Sequence, residues 1–118
     1  MKTDIKTIEI NGVEYVEKNS TNYIQPEGEF LQVGKNYFIR TFSYHYVGKL
    51  VAINENNLIL ENASWVADSG RFGEALVNGK LSETEKYVND VVLFRNSLLD
   101  ATEWQHDLPK VSKWYLYN

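Results

Sequence analysis

The thirty residues "YFIRTFSYHYVGKLVAINENNLILENASWV", Tyr37 to Val66, constrain the fold more than any other stretch. They hold three runs rich in β-branched and aromatic residues, broken by Gly48 and by the polar cluster Asn54-Glu55-Asn56-Asn57. Runs of that length between turn-forming residues read as consecutive antiparallel strands, too short for helices. A second β-rich stretch, "DVVLFRNSLLDATEW", begins at Asp90. Apolar residues make up 43% of the 118 and aromatics 14%, enough for a packed β-rich core in one domain. The fold class expected is all-β with one short helix.

The flanking segments read differently. Asn11-Gly12 lies between the alternating runs Ile8/Ile10 and Val13/Tyr15, the pattern of a two-residue type I′ hairpin over residues 1–18. From 19 to 35, Pro26, Gly28 and Gly34 interrupt any period, and a linker is expected. In "ADSGRFGEALVNGK", Phe72, Ala75 and Leu76 recur at helical spacing. Asp68 or Ser69 can cap such a helix near 69–78, and Gly79 can end it in the left-handed region. The barrel-forming part is expected over 36–118, with an ordered aromatic tail. Trp104 and Trp114 are expected as core or interface anchors.

Charge and composition narrow the function. A net charge of −4 disfavours long nucleic acids, which are held by basic faces, but leaves room for a small anion gripped by a few guanidinium forks. The chain has no cysteine, so disulfide, thiolate-metal and thiol-nucleophile chemistry are not expected. "MKTDIKTIEI" has no apolar core of signal-peptide length, and no apolar run is long enough to span a membrane. A cytosolic location is expected. His45 and His106 are far apart and lack metal-binding spacing, while Glu83, Glu85 and Asp90 lack the spacing of a calcium loop. No metal, cofactor or catalytic set is expected.

Candidate binding residues follow from chemistry. Arg40 follows "YFI" and Arg95 follows "VLF", each closing an apolar strand-like run. A guanidinium there needs acceptors: either a carboxylate such as Glu61 or Asp100, or the phosphate of a ligand. Arg71 stands near the start of the expected helix, where backbone N–H groups favour anions. Tyr44, His45 and Trp65 offer rings on which a base can stack, or which can equally pack a half-buried face.

"YVGKLVAINENNLILENA" and "VVLFRNSLLDAT" resemble the two motifs of Sm-like small β-barrels. Gly48, Leu50, Ile53, Asn54, Asn57, Leu58 and Leu60 match the first, and Leu93, Phe94, Arg95 and Leu98 the second. Asn56 stands at the base-stacking place and Asn96 at the motif's glycine. The resemblance implies a small Sm-like or SH3-like barrel, puts Asn54 and Asn96 beside the arginines as ligand-binding candidates, and weakens an RNA-binding role.

The order "NGVEYV", "IRT", "GKL", "NASWVADSGRF" and "LLDATEW" resembles an uncharacterised family of small bacteriophage and prophage proteins. This implies phage origin and the host cytoplasm. Strand edges favour closure against further copies, so a homo-oligomer is expected. Three functions follow: a non-enzymatic sponge for a small nucleotide-like host defence signal, a structural or host-interaction phage protein, and an Sm-like RNA-binding ring.

Overall fold

The computed structural model describes residues 7–10, 13–16 and 23–114. Strands β1 (Thr7–Ile10) and β2 (Val13–Val16) form a separate antiparallel pair in which Ile10 faces Val13. The expected turn at Asn11-Gly12 lies outside the described residues, as does the end of the tail beyond Trp114.

The main sheet is antiparallel and six-stranded. Its strands are β3 (Asn36–Thr41), β4 (His45–Ile53), β5 (Asn57–Asp68), β6 (Glu83–Lys86), β7 (Val91–Phe94) and β8 (Leu98–Glu103). The order is β6-β5-β4-β3-β8, and β7 pairs with the first half of β5. Helix α1 (Phe72–Asn78) joins β5 to β6, and a one-turn 3-10 helix (Arg95–Ser97) joins β7 to β8. The described residues are therefore all-β with one short α-helix.

The topology forces the sheet to roll. In a flat sheet, the four inter-strand steps from β7 to β8 would separate them by about 19 Å at ~4.8 Å per step. A three-residue 3-10 turn rising ~2 Å per residue cannot reach that far. The turn is held at both ends: Arg95 N–H donates to Asn56 O (2.8 Å), and Phe42 N–H donates to Ser97 O (3.1 Å).

Bulges supply the curvature, one each in the β3–β8 and β5–β6 ladders and two in the β4–β5 ladder. Between the pairs Val47↔Ser64 and Lys49↔Glu61, Asn62 and Ala63 together oppose Gly48, and between Leu50↔Leu60 and Ala52↔Ile59, Val51 is extra. Bulges bend and twist the strand that carries them. Asn62 sits at φ 53, a left-handed conformation asparagine tolerates better than most residues. A Cβ on Gly48 would meet the Ala63 Cβ at 3.0 Å, so a side chain here would push the two strands apart.

Both faces of the sheet carry a core. Tyr37, Ile39, Leu50, Ile53, Leu58, Leu60, Ala63 and Leu93 fill the barrel. On the other face Phe38, Val47, Val66, Leu81 and Trp104 form a second cluster with Ala75 of α1. This explains why "YFI" is continuously apolar: β3 is buried on both sides, as in sheets covered on two faces.

Two details differ from the sequence reading. From Tyr23 onward the expected linker is part of the fold: Leu31 and Val33 pack on the barrel core, Gly34 N–H donates to Leu50 O (2.6 Å), and Leu50 N–H donates to Lys35 O (2.9 Å). Its glycines and proline shape turns within a packed wall. The helix N-cap is Arg71, without a side-chain cap; the Asp68 carboxylate instead accepts Gly70 N–H (2.8 Å), tightening the turn before the helix. Gly79 does end the helix at φ 75, and a Cβ there would lie 2.6 Å from the His106 ring.

Candidate functional site

Both strand-end arginines are paired within the protein. Arg95 Nη1 and Nη2 donate to the two carboxylate oxygens of Glu29 (2.6 and 2.9 Å), and Nη1 also donates to Asn54 O (3.1 Å). Glu29 in turn accepts Leu31 N–H (3.0 Å), so the fork ties the 23–35 segment to the turn between β4 and β5. The Asn54 side chain shapes that turn by accepting N–H groups from Asn56 (2.8 Å) and Asn57 (2.7 Å). Arg95's hydrogen bonds hold the Glu29 carboxyl below its ordinary value, against a smaller opposing push from burial. Glu27 and Glu55 also line this depression, so an anion arriving there would meet three carboxylates around one committed guanidinium.

Arg40 stands across from Asp100 in the β3–β8 register and from His45 in the β3–β4 register. Its Nε donates to the Asp100 carboxylate (2.9 and 3.2 Å), Nη2 adds a further bond, and the guanidinium lies 5.6 Å from the centroid of Phe72. Arg40's hydrogen bonds lower the Asp100 carboxyl. Of the two acids expected from the sequence, Asp100 is the partner, whereas Glu61 faces Lys49. Arg71 is exposed at the cap of a seven-residue helix, and Asn96 is exposed in the 3-10 turn.

The strand pleat divides the Tyr44-His45-Tyr46 block. His45 turns toward the helix-covered face and meets Phe38 edge-on (5.8 Å). Tyr44 instead meets Trp65 edge-on (5.7 Å, 85°), and Tyr46, directly across from Trp65, stacks with Tyr87 (6.2 Å, 29°). These four rings line an open cleft of about 300 Å³. Burial first, then the Tyr87 phenol, pushes the Tyr46 hydroxyl above its ordinary value. Tyr44 and Trp65, expected as ring platforms, are thus brought together, while no arginine or lysine lines the cleft.

A larger groove of about 810 Å³ lies between the sheet and the loop following β8. Strands contribute Asn36, Lys49, Asn62, Lys86 and Glu103, the preceding turn Lys35, and the loop Gln105, His106, Asp107 and Lys110. Four lysines therefore face two carboxylates, a local excess of positive charge in a chain of net charge −4. Lys35 is shared with Glu103 at 3.5 Å, and the Lys49 ammonium lies 5.2 Å from the Tyr23 centroid. His106 is fixed by a bond to the Leu76 carbonyl (2.8 Å); a carbonyl only accepts, so Nε2 carries the proton. The bulge that turns Asn62 toward left-handed φ also sets it on the groove wall.

Sequence reading missed this groove. Its lysines come from four separate segments, each an ordinary solvated lysine in its own context, and only the pairing of β6, β5, β4, β3 and β8, with the loop that follows β8, gathers them. Among the described residues no group of His, Asp and Glu side chains could hold a metal ion, and no helix is long and apolar enough to cross a membrane. Comparison with family models, with curated proteins and with solved structures found no match.

Proposed function

We propose that the protein is a non-enzymatic binder of a small nucleotide-like anion, of phage type, that sequesters a host antiviral nucleotide signal in the bacterial cytoplasm. The observation that carries this reading is the four-lysine groove in an otherwise acidic chain. Its volume lies within the range of small-molecule sites, roughly 300–1,000 Å³. Ammonium groups would neutralise phosphate, while the Asn36, Asn62 and Gln105 amides, each both donor and acceptor, would read a base edge. The site thus shifts from the strand-end arginines, whose forks are occupied by Glu29 and Asp100, to lysines without bidentate partners.

Assembly with further copies accompanies this reading. Around the 3-10 turn Phe42, Phe94 and Leu99 are 73%, 66% and 55% exposed, and β8 ends the sheet order. Exposed apolar side chains grouped at a sheet edge suit contact with another copy.

The test is a thermal-shift panel of linear and cyclic nucleotides followed by recovery of the ligand. A ligand at a hundred times its Kd should stabilise the folded chain by about 2.7 kcal/mol. After heat denaturation it should be recovered chemically unchanged. No shift with any nucleotide, or recovery of a hydrolysed product, contradicts the reading.

A further inference from the structure

We infer that the aromatic cleft of Tyr44, Tyr46, Trp65 and Tyr87 is a second binding site, for a methylated or quaternary ammonium group. The inference is independent of the lysine groove.

Four aromatic side chains from separate positions along the chain converge on this one opening. An aromatic face carries negative potential, and an alkylammonium within ~6 Å of ring centroids is attracted to it while its methyl groups remove apolar ring surface from water. The cleft is already assembled: Tyr44 and Trp65 brace each other edge-to-face, and Tyr46 and Tyr87 are stacked. Ring positions are therefore set before a ligand arrives, which lowers the ordering cost of binding.

Two features select a cation over a planar base or a phosphate. Tyr46 and Tyr87 have centroids 6.2 Å apart. A base inserted between them would need about 7 Å, two contact distances of ~3.5 Å. A rounded head group resting on ring faces needs no such insertion. The second feature is charge. No lysine or arginine lines the cleft, and Glu85 stands directly across from Trp65 in the β5–β6 register, so its side chain leaves the sheet on the same face. A phosphate would meet aromatic faces with no cation among them and a carboxylate on the neighbouring strand, whereas an ammonium would be favoured by the ring faces and, at longer range, by Glu85.

The two faces of the sheet would then take opposite charges. Lys86, on the groove, and Tyr87, on the cleft, are consecutive residues.

The experiment titrates the full chain with choline and with 3,3-dimethylbutan-1-ol, its uncharged counterpart of similar shape, following tryptophan fluorescence and the Trp65 indole N–H resonance. Choline should bind about tenfold more tightly than the alcohol, the share contributed by cation–ring attraction. Tyr44→Ala and Tyr87→Ala should each weaken choline binding several-fold with only a small fall in melting temperature, since both side chains are partly exposed and each loses one ring contact. Glu85→Gln should weaken choline while leaving the alcohol unchanged. A peptide carrying trimethyl-lysine, run in parallel, distinguishes a protein-borne ammonium from a free metabolite by whichever binds more tightly. Equal affinity for choline and the alcohol, or no response to choline and the peptide at millimolar concentration, overturns the inference. Lys86→Gln, which removes a groove charge, should leave choline affinity unaltered, so the two sites can fail separately.

Discussion

The two strand-end arginines and the four groove lysines show how differently cations are used in one small fold. Arg95 and Arg40 each hold a carboxylate through two nitrogens, and both forks join segments that the chain must bring together: 23–35 to the β4–β5 turn, and β3 to β8. Planar forks suit such fixed joints. The lysines converge from four segments on one groove, with two carboxylates among them. An ammonium on a flexible stem adapts to a mobile anion, and its charge remains available when its neighbours do not consume it. Charge at a strand end is thus a poor guide to a ligand. What matters is whether the fold has already supplied the counter-ion.

The comparison can be broken most forcefully at the groove. Neutralising Lys86 and Lys110 together with glutamine should reduce nucleotide affinity on the order of a hundredfold, because two charge-assisted contacts of ~1.5 kcal/mol each are lost. Stability should hardly change, and calorimetric titration alongside a melt checks both. The complementary change, Arg95→Ala, should cost about 2 kcal/mol of stability, between the ~0–1 of an exposed pair and the ~3–5 of a buried one. Glu29 is the more buried partner, with 10% of its side chain exposed against 34% for Arg95, and it would be left unneutralised. A urea midpoint reads this, and Arg95→Lys should recover only part of it.

Acid sharpens the same contrast with a smaller effect. Arg95 depresses the Glu29 carboxyl in the folded chain, so the unfolded chain binds that proton more readily. The pair's contribution is then fully present above the unfolded glutamate value of about 4.3 and is lost as pH falls through the lower folded value. Glu29→Gln should be less stable than the parent at pH 7, with the gap closing toward pH 3. Asp100, depressed by Arg40, follows the same sign. The smallest effect expected is for Arg40→Ala, because this pair is open to water at the sheet rim. A slight drop in melting temperature with unchanged nucleotide affinity is the expected result.

The elements were legible where local chemistry decides them. The Asn54–Asn57 turn and Gly79 are a side-chain-locked turn and a left-handed cap, each set by the residue itself, whereas Gly48, which reads as a break between runs, lies inside β4 where Ala63 of β5 approaches it, and the break falls at residues 42–44. Helix α1 lies inside the span that its periodicity indicates. What escaped depends on partners far along the chain. Glu29 lay in a stretch whose proline and glycines read as a linker, so Arg95's acid could not be named. Adjacency in sequence groups His45 with Tyr44, yet the pleat puts neighbours on opposite faces. Tyr87 joins Tyr46 only because β6 pairs with the second half of β5.

The location of the bound anion is the central claim, and chemical-shift mapping during a nucleotide titration reads it directly. The account predicts that the side-chain amides of Asn36, Asn62 and Gln105 and the ammonium-bearing methylenes of Lys49 and Lys86 move with ligand. The Arg95 Nη–H and Arg40 Nε–H signals should stay in place, held by Glu29 and Asp100. Movement of either arginine signal with a silent groove would contradict it.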